Sequence, residues 1–149
     1  MALLSWSTEY AIGSELIDGE HQELFRLVNS FHDRWLERRE PQAIAPLLNE
    51  LIAYAETHFQ HEEALMRAAG FPKLAEHQAI HEAMVETIFR LRLSFERANG
   101  HIEMDTMKFV KNWLLEHIVR NDYLFRDFLA RRQSADDADD GARQSKPAR

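Results

Sequence analysis

The chain has 149 residues, a formal net charge of −7, 45% hydrophobic and 29% charged residues, and no cysteine. These values fit one globular domain and exclude wholesale disorder. The negative charge argues against a nucleic acid or an anionic membrane as main partner, and the missing cysteine removes disulfides, thiolate metal sites and cysteine nucleophiles together.

Residues 1–17 carry Trp6, Tyr10, Ile12, Leu16 and Ile17 around Gly13. That arm is too apolar for a free tail and is expected to pack along the rest of the domain. It has neither a basic leader nor a long apolar run, so no signal peptide and no membrane span are expected, and the cytoplasm is the expected compartment. Helix formers then dominate four segments, which predict helices over 19–38, 42–68, 73–97 and 103–131. Asp18 can cap the first, and Pro41 and Pro46 stand near the start of the second, where a missing N–H costs least. Gly70 and Gly100 close the second and third helices. Short connections make neighbouring helices antiparallel. The expected fold is all-α, an up-down-up-down four-helix bundle over residues 1–132. Residues 133–149 have no large apolar side chain and are expected to form a disordered tail.

Each predicted helix shows one stripe of inward positions at three- and four-residue steps. The first reads His21, Leu24, Val28, Phe31, Trp35, and the second Ile44, Leu48, Leu51, Ala55, His58, Glu62, Leu65. The third reads Leu74, His77, His81, Met84, Ile88, Leu91, Phe95, and the fourth Val110, Trp113, His117. Five histidines and a glutamate therefore point at the core, in phase with leucine and phenylalanine. Buried ionisable groups are expensive unless paired or bound to metal. One inward histidine is ordinary; five on four helices call for a multidentate cation.

The spacings sharpen this. His77 and His81, and likewise His58 and Glu62, are four residues apart and share a helix face. Asp122 follows His117 by five residues, out of phase for a regular helix. The apolar pattern shifts there too, resuming at Phe125 and Leu129. One extra residue between 117 and 122, a π-type bulge, explains both facts. Seven nitrogen and oxygen donors are too many for one ion and suit two ions sharing bridging carboxylates. Imidazole suits iron, zinc, copper or nickel, so the donors alone do not choose the metal.

The decisive stretches are Trp6 with Ile17-Asp18-Gly19-Glu20-His21, His58-Phe59-Gln60-His61-Glu62-Glu63, His77-Gln78-Ala79-Ile80-His81, and Trp113-Leu114-Leu115-Glu116-His117-Ile118 leading to Asp122. In this order and at this spacing the sequence resembles the hemerythrin family, most closely its bacterial single-domain form, from residue 6 to about 130. The resemblance implies a non-haem di-iron centre that binds O₂ reversibly. It places one iron on His77, His81 and His117 and the other on His21 and His58. Glu62 and Asp122 bridge them, together with a solvent-derived oxo or hydroxo group. The two-histidine iron has the open position for O₂. Leu24, Phe59, Trp113 and Leu114 resemble the apolar wall of the family's O₂ pocket, which excludes protons and reductants. His32, His61 and His101 fall off the stripe or in a loop and read as surface residues.

Other functions fit less well. The ferritin-like di-iron oxidases use Glu-x-x-His motifs. Here the residues three before the core histidines are Asp18, Ala55, Leu74, Gln78 and Leu114. The zinc-hydrolase motif HExxH is missing as well, because Leu65 and Val85 stand where its second histidine belongs. The expected role is non-catalytic: O₂ storage, transport or delivery to an O₂-consuming enzyme. Oxygen or redox sensing and iron binding are the alternatives. The resemblance makes a monomer the default.

Overall fold

The computed structural model describes residues 2–37, 40–98 and 104–144. A short 3-10 turn at Thr8–Tyr10 precedes α1 (Glu15–Leu36), α2 (Pro41–Ala69) and α3 (Leu74–Arg97). The last rod is α4 (Met104–His117), a π-helical turn (Ile118–Asp122) and α5 (Tyr123–Gln144). The described residues contain no strand. Consecutive helices pack side by side, α1 on α2 and α2 on α3, and α4 returns against α1 to close the bundle. No helix among the described residues is long and apolar enough to cross a membrane.

The start of α1 differs from expectation. Ser14, not Asp18, is the cap, its hydroxyl accepting from the Ile17 N–H. Asp18 instead reaches back to the arm and accepts from the N–H groups of Ile12 (2.7 Å) and Gly13 (3.3 Å). Those two bonds fix the turn at Gly13, whose φ of +92° suits glycine. The rest of the arm packs as expected. Leu4 and Ile12 are buried, Trp6 and Tyr10 lean on Phe25, and Leu4 exchanges two backbone hydrogen bonds with the Asn29 amide. Leu16 is the exception and faces solvent. At the far end of α2, Gly70 takes the left-handed conformation (φ +71°) and its N–H bonds the carbonyls of Arg67 and Met66. Gly100 and His101 lie outside the described residues.

The apolar core falls into layers. One layer holds Ile12, Ile17, Met66, Phe71 and Phe125. A second holds Leu24, Phe25, Val28, Ala55, Phe59, Leu114 and Ile118 among others. A third, at the other end, is built on Phe31, Ile44, Leu48, Ile88 and Met107. Inward polar residues lie where the first two layers meet: His21 between Ile17 and Leu24, Glu62 between Phe59 and Met66, Asp122 between Ile118 and Phe125.

The segment expected as a disordered tail continues as helix to Gln144. Exposed i,i+4 contacts such as Gln133–Asp137 and Asp139–Arg143 support that helix locally. Every described side chain from Arg131 onward is nevertheless exposed, so the segment adds nothing to the core.

Candidate metal centre

The four rods bring seven donors into the polar layer. Helix α1 supplies His21, α2 supplies His58 and Glu62 one turn apart, and α3 supplies His77 and His81. His117 ends α4, and the π turn carries Asp122 round to the same side, as the phase shift in the sequence predicts. Glu62 and Asp122 are completely buried, and the five histidines are between 1% and 3% exposed.

The donors form two groups that share Glu62: Glu62, His77, His81, His117 and Asp122, and then His21, His58 and Glu62. Both carboxylates divide their oxygens between the two sides. Glu62 Oε1 faces His77 Nε2 (2.8 Å) and His81 Nε2 (3.2 Å), and its Oε2 faces His58 Nε2 (3.5 Å) and His21 Nε2 (3.6 Å). Asp122 Oδ1 faces His117 Nε2 (3.0 Å) and His77 Nε2 (3.2 Å), and its Oδ2 faces His21 Nε2 (3.2 Å). All five histidines therefore turn Nε2 inward.

Several of these atoms have no hydrogen-bond partner among the described residues: His21 Nε2, His58 Nε2, Glu62 Oε2 and both oxygens of Asp122. An orphaned buried polar atom costs roughly 1–3 kcal/mol, more if charged. Five in one buried layer, as imidazole and carboxylate, fit a pair of cations better than a hydrogen-bonded core. Without metal, protons take the cations' place. Burial opposes charge on His21, but Asp122 and Glu62 outweigh it and push its pKa up to about 9. His117 rises likewise, burial being outweighed by Asp122 and then Glu62, to about 10. Burial favours neutral carboxyls, yet the surrounding imidazoles hold Glu62 and Asp122 well below the ordinary carboxylate range.

The expected pocket residues also come together. Leu24, Phe59 and Leu114 are buried in one apolar cluster, and Trp113 packs against it half-buried. Phe59 stacks on His81, with ring centroids 4.0 Å apart and planes at 12°, and meets His117 edge-on at 5.7 Å. Its ring also meets that of His58 at 5.7 Å, so Phe59 borders both groups.

One expectation needs correction and two residues were missed. His32 is not a surface residue: it is buried on the flank of α1, its ring 5.9 Å from that of Trp35. His61 lies at the surface as expected, with its Nδ1 2.7 Å from Glu20 Oε2. Glu20 and Glu63, not singled out from sequence, each face the outer nitrogen of an inward histidine, His58 and His81 respectively. Their only sequence signal is position, each directly beside a donor in the chain.

A family model described as the hemerythrin HHE cation binding domain matches residues 12–140. Bacteriohemerythrin from Methylococcus capsulatus is 32% identical over 87% of this chain and 99% of its own length. Bacteriohemerythrin from Stenotrophomonas maltophilia is 31% identical over 85% of this chain and 82% of its own. The myohemerythrin of Theromyzon tessulatum is 26% identical over 83% of this chain. A solved structure of wild-type hemerythrin superposes with a TM-score of 0.77 at 30% identity, covering 86% of this chain and 98% of that one.

Proposed function

Because the chain belongs to the hemerythrin family, we propose that it binds O₂ reversibly at a non-haem di-iron centre and does not itself catalyse a reaction. The observation that carries this reading is the division of Glu62 and Asp122 between two groups of inward imidazoles. His77, His81 and His117 would hold one iron, His21 and His58 the other, and Glu62 and Asp122 would serve both. When bound in the ferrous state, the pair supplies the two electrons that O₂ takes up and returns.

The chain's own residues make that exchange reversible. The carboxylates stay ionised and balance the charge of the cations. The side with two histidines has one protein donor fewer, which leaves room for a small ligand. Leu24, Phe59, Trp113 and Leu114 would keep that room dry, so that no proton or bulky reductant reaches it. Storage of O₂, or its delivery to an O₂-consuming enzyme, is the use that suits such a domain.

The test is stoichiometric. Iron-reconstituted, reduced protein should hold two irons and take up one O₂ per chain, then return it under argon. Uptake without return, or with turnover of an added reductant, would point instead to an oxidase.

A further inference from the structure

Two carboxylates outside both donor groups grip the outer nitrogens of two histidines within them. Glu20, on α1, places Oε1 3.1 Å from Nδ1 of His58 on α2. Its Oε2 lies 2.7 Å from Nδ1 of His61, whose side chain is 46% exposed. Glu63, on α2, places Oε1 2.8 Å from Nδ1 of His81 on α3, and its Oε2 accepts from the Gln78 amide at 3.3 Å. Each carboxylate thus crosses from one helix to the next and is held at both oxygens. Two other inward histidines are placed differently. His117 Nδ1 meets only the neutral amide of Asn121, at 3.4 Å, and His21 Nδ1 has no partner among the described residues.

A neutral imidazole binds a cation through one nitrogen while the other carries the proton. A carboxylate against Nδ1 keeps the proton there, aims the Nε2 lone pair inward, stops the ring turning and strengthens it as a donor. We propose that Glu20 and Glu63 are positioning residues, one for each metal: Glu20, anchored by His61, sets His58 on the two-histidine side, and Glu63, anchored by Gln78, sets His81 on the three-histidine side. This inference rests on the di-iron reading and deepens it. It assigns one carboxylate anchor to each metal and leaves His21 the freest ligand on the side proposed for O₂. The two clamps also differ at their outer ends. One ends in a half-exposed imidazole and the other in a partly buried amide.

Zinc is a redox-silent probe of this arrangement. The full chain, freed of metal, is titrated with Zn²⁺ against a competing chelator, and the zinc-loaded imidazoles are followed by ¹H–¹⁵N NMR. The parent protein should bind two zinc ions and show slowly exchanging Nδ1 protons on His58 and His81. Glu20→Ala should weaken one binding step about 10–100-fold and lose the His58 signal. Glu63→Ala should weaken the other step and lose the His81 signal. Glu20→Gln and Glu63→Gln keep an acceptor oxygen and should recover most of the affinity. His61→Ala should disturb the same step as Glu20→Ala, to a smaller extent. Unchanged affinity and signals in the alanine variants would overturn the inference. So would an equal loss at both steps that glutamine does not repair, because that marks bundle packing. A parent protein that binds no pair of zinc ions would overturn the metal-centre reading, and this inference with it.

Discussion

His117 and Asp122 meet at 3.0 Å, Nε2 to Oδ1, although five residues separate them and a regular helix would turn them apart by about 140°. The π turn at Ile118–Asp122 makes the meeting possible by absorbing one residue. If that is its role, deleting the exposed Val119 should convert it to ordinary α-helix and leave Asp122 in the site, four residues after His117. Deleting Lys111, in the regular part of α4, should instead rotate His117 away by about 100° and abolish metal binding. Metal content and far-UV circular dichroism of the two deletions check this. Equal damage from both would contradict it.

Leu114 is 1% exposed and shares an apolar cluster with Leu24 and Phe59. Leu114→Ala should cost about 2–5 kcal/mol of stability, as buried leucine truncations do. If the cluster keeps the site dry, the same variant should still bind two irons but oxidise severalfold faster in air. Trp113→Ala should act in the same direction. Iron content and the rate of loss of the oxygenated spectrum separate the two effects, and unchanged air oxidation would remove the wall from the account.

The metal-free protein should respond to pH in a defined way. The pKa values of His21 and His117 rise from 6.5 to about 9 and about 10, against the opposing effect of burial, because Asp122 and Glu62 face them. Their stabilisation is therefore complete below about pH 6.5 and lost as pH climbs through 9 and 10. Glu62 and Asp122 act in the opposite sense. Their carboxyls titrate below the unfolded values of 4.5 and 3.8, so their contribution is present above that range and lost in acid. The thermal midpoint of the metal-free protein should peak at about pH 4.5–6.5 and fall towards pH 10. Bound metal replaces those protons, so the alkaline fall should vanish in the loaded protein. A midpoint that stays flat to pH 10 without metal would contradict the assignment.

The sequence made much of this visible because the candidate metal centre lies in the helical phase of the core. His21, His58, Glu62, His77, His81 and His117 sit where leucine would otherwise stand, and Asp122 betrays itself by the break in that phase. Glu20 and Glu63 were not legible. Each lies on the flank of its helix and acts on a histidine of the next, so its role depends on how adjacent helices are rotated against each other. His32 was not legible either: it lies off the stripe yet is buried beside Trp35. Ser14 and Asp18 both suit a helix start, and only the hydrogen bonds of Asp18 to Ile12 and Gly13 distinguish them.

The boundary near residue 132 is open to a simple test. Arg132 still donates to the Ala69 carbonyl at the end of α2, whereas the described side chains beyond it are exposed. Ending the chain after Gln133 should therefore change stability by no more than about 0.5 kcal/mol and leave metal content intact. Chemical denaturation of the two lengths, with metal counted, checks this. A larger loss would give the end of α5 a structural role.

The central claim is most directly tested by one optical cycle on the iron-loaded protein. The anaerobically reduced sample is recorded, exposed to O₂, and returned to argon, with iron counted per chain throughout. The account predicts two irons and a visible band that appears with O₂ and disappears with its removal over repeated cycles. Two irons with a single irreversible oxidation, or a chain that takes up no iron pair, would contradict it.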